Sequence, residues 1–364
     1  MYSVFQHWDP LKVCVVGRSY PPEFYSWITD SNTRKRFEKL AEETEDDYQS
    51  LIKLLEKRFG VQTVRPELPT DLESLNIQGR WMQPPICPRD YFVMIHDQFW
   101  LPTVPNKIHS QRAFSRQAIL NFQDFQTIDQ AHLDVKLSCY NHIFDLIQSQ
   151  GNTINRTELD FIIGCFVSRI GDRLYFATQD YNEDQAQLLN IVNQQFPNTH
   201  NKIVNAGGHG DATYCPVTPG LIISLRDIPT YADTFPDWEV VYLPPSNYEH
   251  MREFQASMRL NRGRWHIPGF EQDQNLINIV DYYFDDWVGD VSETVFDVNI
   301  LVVDNKNIIV SSHNDQVEQA CARYGIEVHV SPFRHRYFWD GGIHCVTSDL
   351  HREGTMQDYF PQRD

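Results

Sequence analysis

Three short stretches of the sequence place an acid, a histidine or a cysteine beside glycine or proline, next to an apolar run. They are "PPICPRDYFVMI" with Asp90, "NAGGHGDATYCPVTPGLIISL" with His209 and Asp211, and "GGIHCVTSDLHREGTMQDYF" with Cys345. On an extended segment His209 and Asp211 point to the same side, because side chains alternate. Together these residues suit nucleophilic chemistry: a thiolate attacks an electrophilic carbon, an imidazole moves protons, and carboxylates hold a positive charge.

A guanidinium group is the substrate that fits this set of residues. Its central carbon is electrophilic only while the group stays protonated, and paired carboxylates keep it protonated. Each residue also has a structural explanation, since Asp90 could cap a turn, His209 could be a hydrogen-bonded loop residue, and Cys345 could be an inert buried cysteine. A metal site is a further alternative, but His209 and Asp211 are too few ligands, and Asp90 and Cys345 complete the set poorly.

The composition narrows the class of protein. The chain has 364 residues, of which 41% are hydrophobic, as expected for a folded globular protein. Acidic residues outnumber basic ones by 49 to 31, and the net charge of -18 argues against a nucleic-acid or anionic-membrane partner. The seven cysteines are scattered without a C-x-x-C pair, which indicates neither a disulfide framework nor a zinc knuckle.

The first residues, "MYSVFQHWDP", have neither the basic nor the apolar part of a signal peptide. No apolar run approaches the roughly 18 residues that a membrane-spanning helix needs. We therefore expect a cytoplasmic protein with no membrane partner.

The elements that position the candidate residues follow from apolar periodicity. Helices are predicted over residues 36–59, where Gly60 would form the C-cap, and over 183–196 and 315–324. Two hairpins are predicted, one turning at Gly171 and Asp172 and the other spanning 298–310. Short strands are expected over 12–16, 61–64 and 326–330.

The predicted order of hairpin, helix and strand recurs along the chain. It is clearest near the C-terminus, where hairpin 298–310, helix 315–324 and strand 326–330 follow one another. Such a repeat favours radial repetition around a centre over one doubly wound sheet. The absence of a linker-like stretch predicts a single domain over residues 1–364.

Five stretches resemble the glycine amidinotransferases, the arginine-dependent branch of the guanidino-group modifying superfamily. In chain order these are "HWDPLKVCVVGR", "PRDYFVMI", "HGDATYCPVTPGLIISL", "VNILVVD" and "GGIHCVTSDLHREGTMQDYF", reaching from Trp8 to Tyr359. The residues after Cys345 are similar to the family's ending G-G-F-H-C-W-T-C-D-V-R-R-R-G-T-L-Q-S-Y. This ending distinguishes amidinotransferases from arginine deiminases, which share only the core.

The resemblance implies a five-bladed pseudo-symmetric α/β propeller of ββαβ repeats with a central active site. It implies that Cys345 is the nucleophile, that His209 is the acid and base, and that Asp90 and Asp211 bind the guanidinium. The expected partners are a guanidino donor such as arginine and an amine acceptor, with no metal or organic cofactor. A homodimer is compatible with the resemblance.

The sequence departs from the family's pattern at three places. The acid that orients the catalytic histidine would fall on Ile163, so the nearby Asp160 is predicted to take this role. Asp297 stands where the family has a small hydroxyl residue, and Arg226 lies near, but out of register with, a family arginine. Asp297 and Arg226, with Asn299 of "VNILVVD", are predicted to bind the rest of the substrate, so the acceptor could be an amine or diamine instead of glycine.

Two other functions remain open from the sequence. A hydrolase of the same superfamily would deliver water to the same covalent intermediate. A catalytically silent propeller would bind a guanidino or amino compound, or a partner protein, without turning it over. The displaced acid upstream of Gly171 is the feature that favours the silent alternative.

Overall fold

A computed structural model describes most of the chain. The described residues are 1–104, 122–178, 185–243, 267, 270, 272–284, 287 and 297–360, with 122–129 described by their backbone alone. The predicted helix over 183–196 therefore has its first two residues outside the described part.

Seventeen strands are present in the described residues. They are β1 (Leu11–Val16), β2 (Gln62–Val64), β3 (Asn76–Ile77), β4 (Arg80–Trp81), β5 (Val93–Ile95), β6 (Gln98–Pro102), β7 (Ile154–Thr157), β8 (Val167–Ile170), β9 (Arg173–Ala177), β10 (His200–Val204), β11 (Tyr214–Thr218), β12 (Leu221–Ser224), β13 (Glu239–Tyr242), β14 (Leu301–Asp304), β15 (Asn307–Val310), β16 (Glu327–Val330) and β17 (Thr347–Arg352).

Eight α-helices accompany them in the same residues. They are α1 (Ser31–Phe59), α2 (Phe122–Ser138), α3 (Asn141–Ser149), α4 (Gln185–Gln195), α5 (Tyr231–Thr234), α6 (Gln274–Tyr283), α7 (Asp315–Arg323) and α8 (Arg336–Trp339). Short 3-10 helices at Pro88–Asp90 and Gly210–Ala212 carry two of the candidate stretches.

The strands of the described residues form five three-stranded sheets and one two-stranded sheet. The orders of the larger sheets are β17-β1-β2, β5-β6-β7, β8-β9-β10, β11-β12-β13 and β14-β15-β16. In each, the first two strands are antiparallel and the third is parallel to the second, with at least one helix in the connection. The predicted succession of hairpin, helix and strand is therefore observed four times, and in the fifth sheet the distant β17 takes the place of the first strand of the hairpin.

The two predicted hairpins are confirmed. Gly171 turns between β8 and β9 with a φ of 65°, a left-handed conformation that glycine adopts without strain. The second hairpin joins β14 to β15, and the carboxylate of Asp304 accepts hydrogen bonds from the backbone N–H of Lys306 and the side chain of Asn307. This side-chain contact is what makes the polar sequence a tight turn.

The longest helix, α1, ends where the sequence predicts and begins before the predicted start. Gly60 forms the C-cap with a φ of 65°, and Phe37, Leu40 and Leu51 are buried. The helix begins at Ser31 because the carboxylate of Asp30 accepts a hydrogen bond from the Thr33 N–H. The first turn is polar, so apolar periodicity gave no sign of it.

One sheet joins the two ends of the described chain. β1 pairs antiparallel with β17, so that Leu11 faces Arg352 and Val16 faces Thr347. The third strand, β2, follows α1 and pairs parallel with β1. No helix in the described residues is long and apolar enough to cross a membrane.

Candidate active site

The candidate residues lie on equivalent loops of the five sheets. Each loop leads into the first strand of its sheet, and that strand occupies one edge. Asp90 precedes β5, Cys165 precedes β8, His209 and Asp211 precede β11, Asn299 precedes β14, and Cys345 precedes β17. Residues far apart in sequence therefore occupy equivalent positions in the five sheets.

The side chain of Asn299 holds the loop of Cys345. Its Oδ1 accepts hydrogen bonds from the backbone N–H of His344 at 2.8 Å and of Cys345 at 3.0 Å. Its Nδ2 donates to the Sγ of Cys345 at 3.0 Å and to the backbone oxygen of Asp211 at 3.2 Å. Because Asn299 is fully buried, this amide fixes the thiol relative to the loop of Asp211.

Asp211 lies on the same loop as His209 and contacts the loop of Cys345. Its Oδ2 accepts hydrogen bonds from Nδ1 of His344 at 2.8 Å and from the Cys345 thiol at 3.5 Å. Burial, together with the charges of Arg89 and His7, lowers the pKa of His344 well below its usual value. His344 is therefore neutral at pH 7 and donates its Nδ1 proton to the carboxylate.

The environment of Cys345 keeps its thiol protonated. Burial raises its pKa well above the ordinary value, and the negative charges of Asp211 and Asp90 raise it further. A hydrogen bond from the Gly342 backbone acts in the opposite direction and is outweighed. The glycine-rich loop thus provides a backbone N–H to the sulfur, but this hydrogen bond is not enough to give a resting thiolate.

Both glycines ahead of Cys345 are required by close approaches. A Cβ on Gly341 would lie 2.5 Å from the Sγ of Cys87, and a Cβ on Gly342 would lie 2.6 Å from the Oδ1 of Asn299. Any larger residue at either position would push the cysteine loop away from its neighbours. The diglycine therefore serves to place Cys345.

A second cluster contains Asp90, Cys165 and His209. Their side-chain donor atoms all lie within 4.8 Å of one another. The Phe166 ring meets the His209 ring edge-on, with centroids 4.9 Å apart. Cys165 and His209 are buried, and Asp90 is half-buried. Burial, followed by the charges of Asp90 and Asp211, raises the pKa of the Cys165 thiol well above its usual value.

Beside the cysteine loop lies a buried cluster of opposite sign, formed by Arg89, Arg169, Arg352 and Asp349. All three guanidinium groups are within 3.1 Å of the Asp349 carboxylate, and none of the four residues is more than 1% exposed. Burial raises the pKa of Asp349, but the charges of Arg169, Arg89 and Arg352 outweigh it and hold the pKa well below its usual value.

Arg89 explains the arginine of the "PRD" stretch. Its Nε donates to the backbone oxygens of His344 at 2.8 Å and Thr347 at 2.9 Å. The arginine thereby ties the helical turn that carries Asp90 to the loop that carries Cys345. A cavity beside the loop of Cys345 is lined in part by His7, Cys165, Asp211, Cys215 and His344.

The acid predicted to orient His209 stays a prediction. Asp160 is buried, with 8% of its surface exposed, on the connection between β7 and β8. The same connection carries Phe166, which packs against His209. Ile163, where the family's pattern would place the acid, is fully buried among apolar side chains.

Arg226 and Asp297 make contacts within the protein. Nη1 of Arg226 donates to the backbone oxygen of Ala206 at 2.9 Å, and Asp297 accepts from Nδ2 of Asn314 at 3.1 Å. Asn314 in turn caps α7 through the backbone N–H of Gln316 and Val317. Their role in substrate binding stays a prediction.

Sequence reasoning missed three residues of this region. His344, next to Cys345, contacts Asp211, and Cys165 lies in the cluster with His209. His7 accepts a hydrogen bond from the Arg169 N–H at 3.2 Å, and its ring lies 6.2 Å from that of His344. For the two histidines, the only sign in the sequence was their position in or beside the family-like stretches, in "QHW" and "IHC". Nothing in the sequence indicated that Cys165 would lie in this region.

Comparison with known proteins supports the resemblance found in the sequence. No protein-family model matches the chain. Over 155 residues the chain is 25% identical to the mitochondrial glycine amidinotransferase of Gallus gallus, covering 42% of this chain and 28% of that protein. Over 153 residues it is 22% identical to the L-arginine:L-lysine amidinotransferase of Pseudomonas savastanoi pv. phaseolicola, covering 42% and 33%. The matches thus span about a third or less of these relatives' length.

Solved structures match over nearly the whole chain. The amidinotransferase SxtG of the saxitoxin pathway of Microseira wollei has a TM-score of 0.65 and 16% identity, covering 99% of both chains. The inosamine-phosphate amidinotransferase StrB1 of Streptomyces griseus has a TM-score of 0.61 and 17% identity, with the same coverage. The predicted resemblance is therefore confirmed, and the chain has the α/β fold of the amidinotransferases.

Proposed function

We propose that this protein is an amidinotransferase, which moves an amidino group from a guanidino donor such as arginine to an amine. The observation that carries the proposal is that Cys345 contacts Asp211, and Asp90 lies with His209, on equivalent loops of a fold shared with amidinotransferases. The names of both curated relatives support the same reaction class.

In this proposal the five three-stranded sheets are the blades of a propeller that forms one domain over residues 1–364. The first strands, β5, β8, β11, β14 and β17, surround the centre. Their equivalent edge positions and the shared direction of the loops before them support this arrangement. The pairing of β1 with β17 would close the ring.

The reaction begins when the donor's guanidinium binds between the carboxylates of Asp90 and Asp211. Its positive charge offsets the two negative charges that raise the pKa of Cys345, so the thiol can lose its proton. The Sγ–H proton leaves through His209. The thiolate then forms a bond to the guanidinium carbon, giving a tetrahedral adduct.

His209 next returns the proton to the leaving nitrogen as the bond between that nitrogen and the carbon breaks. The donor's amine departs and the amidino group stays on Sγ as a thioether-like intermediate. An acceptor amine attacks the same carbon, His209 removes its proton, and the carbon–sulfur bond breaks. The product guanidine leaves and the thiol is restored.

Asn299 and Asp160 have supporting roles in this scheme. The Nδ2 contact at 3.0 Å orients Sγ and donates to the sulfur as negative charge develops on it. Asp160, predicted to contact His209, would fix the ring's tautomer and stabilise the imidazolium. Asp160→Asn should then lower kcat and shift the acidic limb of its pH profile, whereas a merely structural Asp160 would leave that limb in place.

The acceptor is proposed to be an amine other than glycine. Asp297 replaces the family's small hydroxyl residue, and Arg226 is out of register with the family's arginine. Both lie where the amino-acid end of the substrate would bind. The relatives themselves are named for different acceptors, glycine in one case and lysine in another.

Mass spectrometry of the intact protein and its peptides tests the proposal. Incubation with arginine and no acceptor should add one amidino group to the peptide that contains Cys345. Cys345→Ser should show no adduct, and Cys321→Ser, which alters a buried cysteine of α7, should keep it. Adduct-bearing protein should lose the group on adding lysine or a diamine, whereas glycine should leave the adduct in place.

The same experiment separates the other functions. Steady formation of urea and ornithine, or of citrulline and ammonia, without an amine would identify a hydrolase. The absence of both adduct and product from a panel of guanidino donors would overturn the transferase and favour a silent binding protein.

A further inference from the structure

We propose that Asp90, Cys165 and His209 form a binding site for a zinc-like divalent ion, and that the ion blocks the active site when it binds. Their donor atoms, a carboxylate oxygen, a thiol sulfur and an imidazole nitrogen, lie within 4.8 Å of one another. The blocking effect rests on the proposed function, because Asp90 and His209 would otherwise handle the substrate. The existence of the metal site does not depend on the proposed function.

The spacing fits a tetrahedral ion after small movements. Zinc bonds are about 2.0–2.1 Å to nitrogen or oxygen and about 2.3 Å to sulfur. Ligand atoms around such an ion are therefore about 3.3–3.6 Å apart, so each pair here, at most 4.8 Å apart, would close by about 1.5 Å or less. Three protein ligands leave a fourth position for water, as in zinc sites that stay accessible to small molecules.

The three ligands come from loops that are already tied together. The Asp211 N–H donates to the backbone oxygen of Cys165 at 3.3 Å, which joins the loops of Cys165 and His209. The Gly164 N–H donates to the backbone oxygen of Phe92 at 3.3 Å, which joins the Cys165 loop to the segment that follows Asp90. Binding would therefore require little ordering of the chain.

The donor set also selects the kind of ion. One thiolate and one carboxylate balance a charge of two, and a neutral imidazole adds no charge. Thiolate and imidazole favour zinc or cobalt over magnesium or calcium, which prefer oxygen ligands. Binding must release the proton of the Cys165 thiol, whose sulfur is within reach of the Asp90 carboxylate.

Cys165 distinguishes this site from the nucleophile. It lies on the loop before β8, whereas Cys345 lies before β17 and is held by Asn299. Zinc at Cys165 would leave Cys345 in place and occupy the carboxylate and imidazole that the guanidino donor needs. Inhibition should therefore be competitive with the donor and reversible by a chelator.

Cobalt titration of the purified full-length protein tests the site without any turnover. Co²⁺ should bind at one ion per chain and give the near-ultraviolet absorption of a thiolate–cobalt bond. Cys165→Ser should lose this band and bind cobalt about a hundredfold more weakly or worse, since loss of even an outer partner of a metal ligand costs about 10- to 100-fold. Cys165→Ala, with its fold checked by circular dichroism, guards against a folding defect.

Two matched variants define the control. Cys215→Ser alters another buried cysteine, which lines the same cavity as Cys165, and should keep the absorption band. Cys345→Ser should also keep it. A band that persists without Cys165, or disappears with Cys345 instead, overturns the site.

The blocking effect has its own readout. Zn²⁺ should raise the KM for the guanidino donor, and the inhibition constant, measured against each variant's own rate, should be at least about tenfold weaker in Cys165→Ser. Cobalt binding without inhibition would overturn the blocking effect and leave the metal site standing. A protein that binds cobalt through Cys165 but never transfers an amidino group would overturn the proposed function alone.

Discussion

Two buried charged regions flank the cysteine loop, and they differ in sign. Around Asp349, three arginines surround one carboxylate and hold its pKa low. Around Cys345, two carboxylates and burial hold the thiol's pKa high. The first region places the one carboxylate of Asp349 among three guanidinium groups and is predicted to matter for stability. The second keeps the Cys345 thiol neutral, which suits a site where, in the proposed reaction, positive charge arrives with the substrate.

Cys345→Ser alters the region around Cys345 and should have the largest effect of the substitutions considered. Turnover should fall by about a thousandfold or more, because serine cannot supply a thiolate. The unfolding midpoint in urea should change little, since serine fits the space left by the thiol. Cys321→Ser in α7 is the matched control and should keep turnover. A loss under tenfold would remove Cys345 from the nucleophile's role.

The arginine-rich region is broken by Asp349→Asn. This change leaves three buried guanidinium groups facing a neutral amide, and we expect a loss of about 3–5 kcal/mol in the free energy of unfolding. Urea denaturation measures it. Glu327→Gln, which breaks an exposed pair with Arg58, should cost at most about 1 kcal/mol. Similar losses in both variants would mean that the buried cluster is not a stability element.

Asp211→Asn and Asp90→Asn sharpen the comparison, because each should weaken donor binding and yet make the Cys345 thiol more reactive. Donor binding should weaken by about ten- to 150-fold, as expected for a charge-assisted contact of about 1.5–3 kcal/mol. The pKa of Cys345 should fall, because a negative charge beside it is removed. Alkylation by iodoacetamide at pH 7, without donor, should therefore become faster.

Asp227→Asn on an exposed loop is the control and should change neither measurement. Wild-type donor binding in both Asp211→Asn and Asp90→Asn would show that these carboxylates are structural. Slower alkylation would contradict the assigned electrostatics.

The smallest expected effect concerns His7, which lies between the two regions. Burial, followed by the charge of Arg169, lowers its pKa well below 6.5. Below about pH 6.5 His7 therefore binds a proton in the unfolded chain but not in the folded chain. The contribution of neutral, buried His7 to the free energy of unfolding is thus fully present above that pH and declines below it. Relative to His7→Gln, the wild type should lose about 1 kcal/mol of stability between pH 6.5 and 5.5. Parallel pH curves for the two proteins would contradict this assignment.

The parts of the fold that the sequence predicts are those set by local chemistry. Gly60 ends α1 and Gly171 forms a hairpin turn, because both need a left-handed backbone. The start of α1 escaped prediction, since it depends on one cap at Asp30 and not on apolar spacing. The pairing of β1 with β17 joins residues more than 300 positions apart, which no local pattern encodes.

The residues of the candidate site also fall into those that the sequence predicts and those that only the fold reveals. Cys345, His209, Asp90 and Asp211 stand in recognisable motifs, so their types and spacing were informative. The contacts of Asn299 depend on how two loops meet, and its amide was predicted to bind substrate without any sign that it holds Sγ. Cys165 looks like any cysteine in an apolar stretch until the fold brings it beside His209.

The pairing of β1 with β17 also constrains when the protein can become active. During synthesis, β1 is made more than 300 residues before the strand that begins at Thr347 and must wait for it. Contacts of such long sequence separation form slowly, because a large loop must close first. Cys345 lies two residues before that strand, so its thiol is buried in the same late step. We therefore expect the Cys345 thiol to stay accessible until this strand is in place, so reducing conditions during refolding should raise the yield of protein with an unmodified Cys345.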